Sequence, residues 1–125
     1  EKEDAGGNLE VKGGLKVDRV TFDKVVTDQL SRSELLLTSK GHEYAEKAEA
    51  GTEVDRLEHF KKAAVLQGET TEQATFGMLA KHLVSIADMV GARKVYPQET
   101  WDEKITDSIN YLLILRAVVA EGRSA

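Results

Sequence analysis

Three polar residues near the end of the chain, Glu103, Asp107 and Asn110, have the types and the spacing to do chemistry. They stand at i, i+4 and i+7, so a helix places them on one face. The next residue on that face is Ile114, which lies in an apolar run, so we expect the stripe to face the protein interior. Because carboxylates are seldom buried unless they are paired, protonated or bound to a cation, this stripe predicts a site for a cation or for a cationic group of a substrate.

The two carboxylates of this stripe suit a divalent metal ion. Glu103 and Asp107 are one helical turn apart, the spacing at which two carboxylates share an ion such as Mg²⁺. We therefore predict both as metal ligands and as catalytic residues. The alternative is that Glu103 belongs only to a helix cap with Thr100 and that Asp107 is a solvated side chain.

A second polar row runs along the preceding helical segment. Lys81, Ser85 and Asp88 stand at i, i+4 and i+7, beside the apolar face of that segment. Lys81 can hold a phosphate, and Asp88 can complete the metal site. The alternative is an ordinary polar edge with an exposed lysine, and His82 is more typical of a packing histidine than of a ligand.

The segment SKGHEYA gathers chemically useful side chains around a glycine. It supplies a cation, an imidazole, a carboxylate and an aromatic ring, from Lys40, His42, Glu43 and Tyr44. Such a set can bind a base or a sugar. It could equally be a polar loop whose Tyr44 is folded onto the body of the protein.

Apolar periodicity predicts four helices that must position these residues. The first covers about 21–39 and stops at Gly41, and the second starts near Thr52 and ends at Gly68. The third begins after a cap at Thr70 or Thr71 and ends at Gly91. The fourth follows the only proline, with a capping box of Thr100 and Glu103 at its start and Gly122 just beyond its end.

The same periodicity predicts which side chains face the core. Large apolar residues recur every three or four positions in each predicted helix. The expected core residues are Phe22, Val25, Val26, Leu30, Leu36, Leu37, Val54, Leu57, Phe60, Ala64, Leu66, Ala74, Phe76, Leu79, Leu83, Ile86 and Val90.

The pattern as a whole predicts an all-α protein, a compact antiparallel bundle of about four helices with short loops. Residues 1–20 carry two Gly-Gly pairs and many charges, so we expect them to form a flexible or extended arm. Residues 21–125 are expected to form a single helical domain.

Composition narrows the classes of partner. The chain has 125 residues, 31% of them charged, and no cysteine, which excludes disulfides and thiolate metal sites. Its net charge of −5 argues against nucleic acid, whose non-specific binding needs a basic surface. No apolar stretch is long enough for a transmembrane helix, so no membrane partner is expected, and no secretory signal pattern is visible.

The order of SKGHEYA, DRLEHF, GMLAKHLVSIADMV and DEKITDSINYLLIL resembles a group of small phage-encoded helical proteins similar to the nucleotide-modification-associated domain family. The resemblance covers about residues 38–116. It implies a phage-encoded protein of the host cytoplasm or the virion.

A more distant likeness is to the MazG-type all-α nucleoside triphosphate pyrophosphohydrolases. Their last metal-binding helix resembles DEKITDSINYLLIL through Glu103 and Asp107. The likeness implies hydrolysis of nucleotides with Mg²⁺ held by carboxylates. The MazG pattern also has an earlier Glu-x-x-Glu, where this chain has only Lys81 and Asp88. Further acidic ligands would then come from Glu43, Asp55 or Glu58, or from a second subunit.

Two hypotheses follow from the residues and the resemblance together. In the first, the protein binds or hydrolyses a nucleotide: Asp88, Glu103 and Asp107 bind Mg²⁺, Lys40 and Lys81 contact phosphate, Tyr44 stacks on the base and Asn110 contacts the substrate. In the second, it is a non-catalytic phage accessory, virion-associated or host-inhibitory module. That module would have mutually satisfied charges and no open pocket. Homo-oligomerisation is compatible with both.

Overall fold

A computed structural model describes residues 16–124, which fold as four helices with no strand among them. The helices are α1 (Arg19–Lys47), α2 (Glu58–Gln67), α3 (Thr71–Gly91) and α4 (Gln98–Ser124). The predicted all-α helical bundle is confirmed. The arm predicted for residues 1–20 lies mostly outside the described residues, and α1 begins at Arg19. None of these helices is both long and apolar enough to cross a membrane.

The chain divides into two units, one ending at Arg32 and the other starting at Ser33. The described part of the first unit is the start of α1, where Phe22, Val26 and Leu30 are exposed. The second unit contains the rest of α1 and all of α2, α3 and α4. Every site residue considered below belongs to the second unit.

The packing of α3 against α4 forms the centre of the second unit, and α2 packs on α3. Several of its buried residues are small, namely Ala64, Ala74 and the fully buried Thr75 and Thr106. The larger buried residues are Leu79, Met89 and Val118. The Thr75 hydroxyl donates to the carbonyl of Thr71 (2.8 Å) and the Ser108 hydroxyl to that of Lys104 (3.0 Å). Because these hydroxyls are satisfied within their own helices, they can be buried at low cost.

Two of the predicted helix boundaries are confirmed. Thr70 caps α3, since its side chain accepts a hydrogen bond from the Gln73 backbone while the Gln73 side chain accepts one from the Thr70 backbone. Gly68 ends α2 in a left-handed conformation, with φ of 67°. Thr70 and Gly68 therefore act as the sequence predicts.

Other boundary predictions were wrong. Helix α1 continues through Gly41 to Lys47, so all of SKGHEYA is helix and not loop. Helix α2 begins at Glu58 and not near Thr52, because the Asp55 carboxylate accepts the Leu57 N–H (2.9 Å) and holds the preceding residues in a turn.

The ends of α4 also differ from the prediction. The helix starts at Gln98, where the Pro97 carbonyl accepts the Thr100 N–H (3.0 Å), so Thr100 lies inside the first turn and does not form the predicted capping box. The helix also continues past Gly122 to Ser124. Gly122 does not adopt the positive φ that ends a helix.

Several predicted core residues are exposed. On α1, α2 and α3 these are Phe22, Val26, Leu30, Leu36, Leu66, Phe76, Leu83 and Val90. Periodicity grouped them with the buried positions because it marks the apolar side of a helix whether or not another element packs against it.

Loss of the α3 cap should be measurable as a loss of stability. Thr70→Ala removes the hydroxyl that accepts the Gln73 N–H, and we expect it to lower the free energy of unfolding by about 1 kcal/mol. Urea denaturation measures the change. Thr71→Ala is the matched control, because Thr71 is the first helical residue and does not cap. Equal losses in the two variants would contradict the capping role of Thr70.

Candidate ligand-binding cavity

A cavity of about 460 Å³ opens among the four helices within the second unit. Its apolar wall consists of Leu36 and Leu37 on α1, Leu57 just before α2, Phe60 on α2, and Leu113, Ile114 and Ala117 on α4. Its polar lining is supplied by Lys40, Tyr44, Arg56, His82, Asp107, Asn110 and Tyr111. An apolar cavity of this size with a few convergent polar groups is typical of a small-molecule site.

The structure brings together only part of the predicted site. Lys40 and Tyr44 from α1 and Asp107 and Asn110 from α4 all line the cavity. The remaining predicted residues, Lys81, Asp88 and Glu103, are exposed and do not line it. The stripe on α4 is therefore divided, with Asp107 and Asn110 at the cavity and Glu103 in solvent.

Asn110 is the most unusual group in the cavity. Its side chain is only 9% exposed, and its Oδ1 atom accepts no hydrogen bond from any described residue. A buried polar atom without a partner costs free energy, so such atoms are rare unless a ligand or water satisfies them. A ligand that donates an N–H or O–H to this oxygen would remove that cost.

His82, Asp107 and Tyr111 form a contiguous group beside Asn110. The His82 ring stacks on Tyr111 with centroids 5.0 Å apart and an interplanar angle of 29°. His82 Nδ1 lies 3.8 Å from Asp107 Oδ2, which is too long for a hydrogen bond but is an ion-pair distance when the imidazole is protonated. Asp107 therefore keeps its hydrogen-bonding capacity for a ligand.

The Tyr111 hydroxyl stays protonated to higher pH than an ordinary phenol. Burial raises its pKa, and the negative charges of Asp107 and of ionised Tyr44 raise it further. Near neutral pH, Tyr111 therefore offers the cavity a neutral hydroxyl that can donate as well as accept.

Arg56 reaches the cavity by lying against α1 at Gly41. Its guanidinium carbon is 5.5 Å from the centroid of the Tyr44 ring, and that ring also contacts His59, with centroids 5.2 Å apart. A Cβ added at Gly41 would lie 2.7 Å from Arg56 Nη1, closer than such atoms approach. The glycine interpreted as a helix stop instead leaves the space in which Arg56 lies.

The described residues contain no group of three or more histidine, aspartate or glutamate side chains placed to hold a metal ion. Asp107 is the only carboxylate in the cavity lining, while Glu43, Asp55, Glu58, Asp88 and Glu103 are exposed. One carboxylate does not make a resident metal site. It does suit Mg²⁺ that arrives with a substrate, because that ion usually keeps its waters and phosphate oxygens and takes one or two protein carboxylates.

Comparison with known proteins adds no assignment: no protein-family model, no curated protein and no solved structure matches this chain. The interpretation of the cavity therefore rests on its own residues.

Sequence reasoning did not place Arg56, His82 or Tyr111 in the site. Arg56 lies in DRLEHF, but helical spacing gives it no role, because the turn that Asp55 forms with Leu57 is not evident from the sequence. Tyr111 directly follows Asn110, and its half-buried position depends on how far α4 is rotated about its own axis. Helical spacing would have indicated Tyr111 only if the residue next to Asn110 had been counted as part of the polar stripe.

Filling the space at Gly41 should displace Arg56 without unfolding the protein. Gly41→Ala introduces a better helix former, worth up to about 1 kcal/mol, but its methyl group meets the guanidinium. We expect the NMR resonances of the Arg56 Nε–H and of the Tyr44 ring to shift. Gly77→Ala is the control, since a Cβ there meets nothing within 4 Å. Unchanged resonances in Gly41→Ala would refute the contact.

The raised pKa of Tyr111 should depend in part on Asp107. Asp107→Asn removes a negative charge that disfavours the phenolate, so we expect the pKa of Tyr111 to fall while burial keeps it above its ordinary value. NMR titration of ¹³Cζ-labelled tyrosine measures this, and Tyr96 serves as the internal reference. A pKa of Tyr111 that is unaffected by Asp107→Asn would contradict the proximity of the two groups.

Proposed function

We propose that this protein binds a nucleotide in the cavity and hydrolyses its phosphoanhydride with the help of a divalent metal ion. The observation that carries the proposal is the unpaired Asn110 Oδ1 in a cavity that also presents cations and aromatic rings. A nucleotide has complementary chemistry for each of these groups. The remote likeness to nucleotide pyrophosphohydrolases suggests the same class of substrate.

The cations are suited to the phosphates. Lys40 and Arg56 both line the cavity, and Arg56 can bind two phosphate oxygens at once through its planar guanidinium. The net charge of the chain is −5, so these two side chains form a local positive region on an acidic protein. Such a region favours an anionic ligand at this place.

The rings and the amide are suited to the base. Tyr44 and the stacked pair of His82 and Tyr111 provide aromatic surfaces on which a base can lie. Asn110 Oδ1 accepts from an N–H of the base edge, which would satisfy the unpaired atom. A ligand without such a donor would leave the oxygen buried and unsatisfied, so the amide also contributes selectivity.

The catalytic part of the proposal rests on Asp107. This carboxylate would join the coordination shell of an Mg²⁺ ion that arrives with the phosphates, whereas Glu103, one turn earlier on α4, is exposed and lies outside the lining. The ion, once bound, supplies charge neutralisation and a more acidic water. The chain would contribute the position of Asp107, which lines the same cavity as Lys40 and Arg56, and would hold the base in place.

The cavity weighs against the second hypothesis, a non-catalytic module with satisfied charges and no open pocket. The described residues form an open cavity and leave one of its buried acceptors unpaired. The resemblance also implies that the protein is encoded by a phage and is located in the host cytoplasm or the virion, and both statements are part of this proposal.

The test combines binding with turnover. Wild type is titrated calorimetrically with ribo- and deoxynucleoside triphosphates, and release of pyrophosphate and phosphate is followed with Mg²⁺ or Mn²⁺. We expect Lys40→Ala to weaken binding by roughly ten- to a hundredfold, as loss of a charge-assisted hydrogen bond does. Lys62→Ala, which removes the same charge from α2 outside the cavity, should leave binding unchanged.

The role of Asp107 is separated from binding by Asp107→Asn. Turnover that disappears in this variant while nucleotide binding persists would support the catalytic assignment. Binding without turnover by wild type would reduce the proposal to a nucleotide-binding protein. No binding of any nucleotide at millimolar concentration would overturn it.

A further inference from the structure

Helix α3 is apolar on the side that faces away from the rest of the second unit. Thr75, Leu79 and Met89 on its inner side are buried. On the adjoining side of the helix Phe76, Leu83, Val84 and Val90 are 56%, 44%, 59% and 71% exposed. A contiguous exposed apolar face is typical of an interaction surface, so we expect this side to be covered by a partner. We call it the outer α3 face: Phe76, Gly77, Ala80, Leu83, Val84, Ala87, Val90 and Gly91.

The spacing on the outer α3 face is that of a helix–helix contact. Phe76, Ala80, Leu83, Ala87 and Val90 follow one another at alternating steps of four and three residues. This alternation is the heptad repeat by which one helix packs along another. No charged residue interrupts the row, so the occupant must offer an apolar helix of its own.

The outer α3 face is complementary in size to itself. When two copies of α3 run antiparallel about a point between Leu83 and Val84, the large side chains at the two ends of the face meet glycines, and Leu83 meets the partner's Val84 at the centre. Phe76 then faces Gly91 of the partner subunit, and Val90 faces the partner's Gly77. Ala80 faces the partner's Ala87. A Cβ at Gly77 or Gly91 would meet nothing within 4 Å in this chain, so nothing inside the described chain requires either glycine.

The charges beside the outer α3 face are complementary as well. Lys81 and Asp88 lie on one edge of the face, seven residues apart, so about 10 Å separates their backbones. Neither has an ion-pair partner among residues 16–124. In the antiparallel pair, the same edges of the two helices lie side by side. Lys81 then comes next to the partner's Asp88, and the symmetry repeats the ion pair.

We propose that the protein forms a two-fold symmetric homodimer in which α3 packs antiparallel on α3 of a second copy, with two crossed Lys81–Asp88 ion pairs. A two-fold contact requires a self-complementary surface, and this face is self-complementary in both size and charge. The proposal assigns Lys81 and Asp88, which do not line the cavity, to the interface. It is independent of the proposed nucleotide chemistry.

The first test is the mass of the full chain in solution. Sedimentation velocity over a range of concentrations should show a species of twice the 13.8 kDa chain mass. Val84→Glu places two carboxylates against each other at the symmetry axis and should give a monomer. Val65→Glu is the matched control, because Val65 is 80% exposed on α2, and this variant should stay dimeric. Circular dichroism confirms that each variant remains helical.

Charge exchange tests the antiparallel arrangement. Lys81→Asp and Asp88→Lys each place like charges side by side twice, so each should weaken the dimer by roughly tenfold in Kd. The double variant restores two ion pairs with opposite polarity and should recover most of the wild-type Kd. A monomeric wild type, or a dimer unaffected by Val84→Glu, overturns the interface. Failure of the double variant to recover overturns the crossed ion pairs.

Discussion

Close packing of α3 against α4 is the constraint on which the other features of the second unit depend. Thr75 on α3 and Thr106 on α4 are fully buried, and side chains of this size allow two helices to approach closely. With Thr106, Asn110 and Val118 turned inwards, α4 has one rotation available about its axis. That rotation places Asp107 and Tyr111 at the border between core and cavity. The chemistry of the cavity is therefore positioned largely by Thr75, Thr106 and Val118, which take no part in it.

The remaining walls bring complementary groups to that border. The second part of α1 contributes Lys40 and Tyr44, and the turn before α2 contributes Arg56. Gly41 links these two walls, because its missing side chain leaves the space in which the guanidinium lies. The result is a cavity with two groups in its lining: the cations lie with the Tyr44 ring, and Asp107 lies with the His82 and Tyr111 rings beside the Asn110 amide. A ligand with an anionic end and a planar, hydrogen-bonding end matches this division.

The sequence predicted the helices well where a local interaction sets their limits. Thr70 and Gln73 satisfy each other's backbone, and Gly68 adopts a left-handed conformation, so neither depends on distant parts of the chain. Gly41 and Gly122 were misread because a helix continues through a glycine when packing or helix length outweighs its low propensity. At Gly41 the relevant packing is a long-range contact with Arg56, which no local sequence pattern reveals.

The positions of the predicted site residues show the limit of helical spacing, which gives only the residues that share a face. Spacing on α4 identified Asp107 and Asn110 as neighbours on a face that runs into apolar surroundings. Spacing could not show that Glu103, one turn earlier on α4, is exposed. On α3, the equally regular spacing of Lys81 and Asp88 indicated a common edge, but that edge does not line the cavity. Periodicity gives the face of a helix, whereas tertiary packing decides what each face meets.

The central claim, that the cavity at Asn110 takes a nucleotide, is tested most directly by NMR of the Asn110 side-chain amide. The chain contains only Asn8 and Asn110 as asparagines, so the signal is assigned by its loss in Asn110→Asp. Addition of a nucleoside triphosphate with Mg²⁺ should shift the Asn110 amide and the Tyr111 ring together, saturably and with one Kd. A nucleotide that binds but shifts resonances only elsewhere would contradict the account, and so would an Asn110 amide that no nucleotide perturbs.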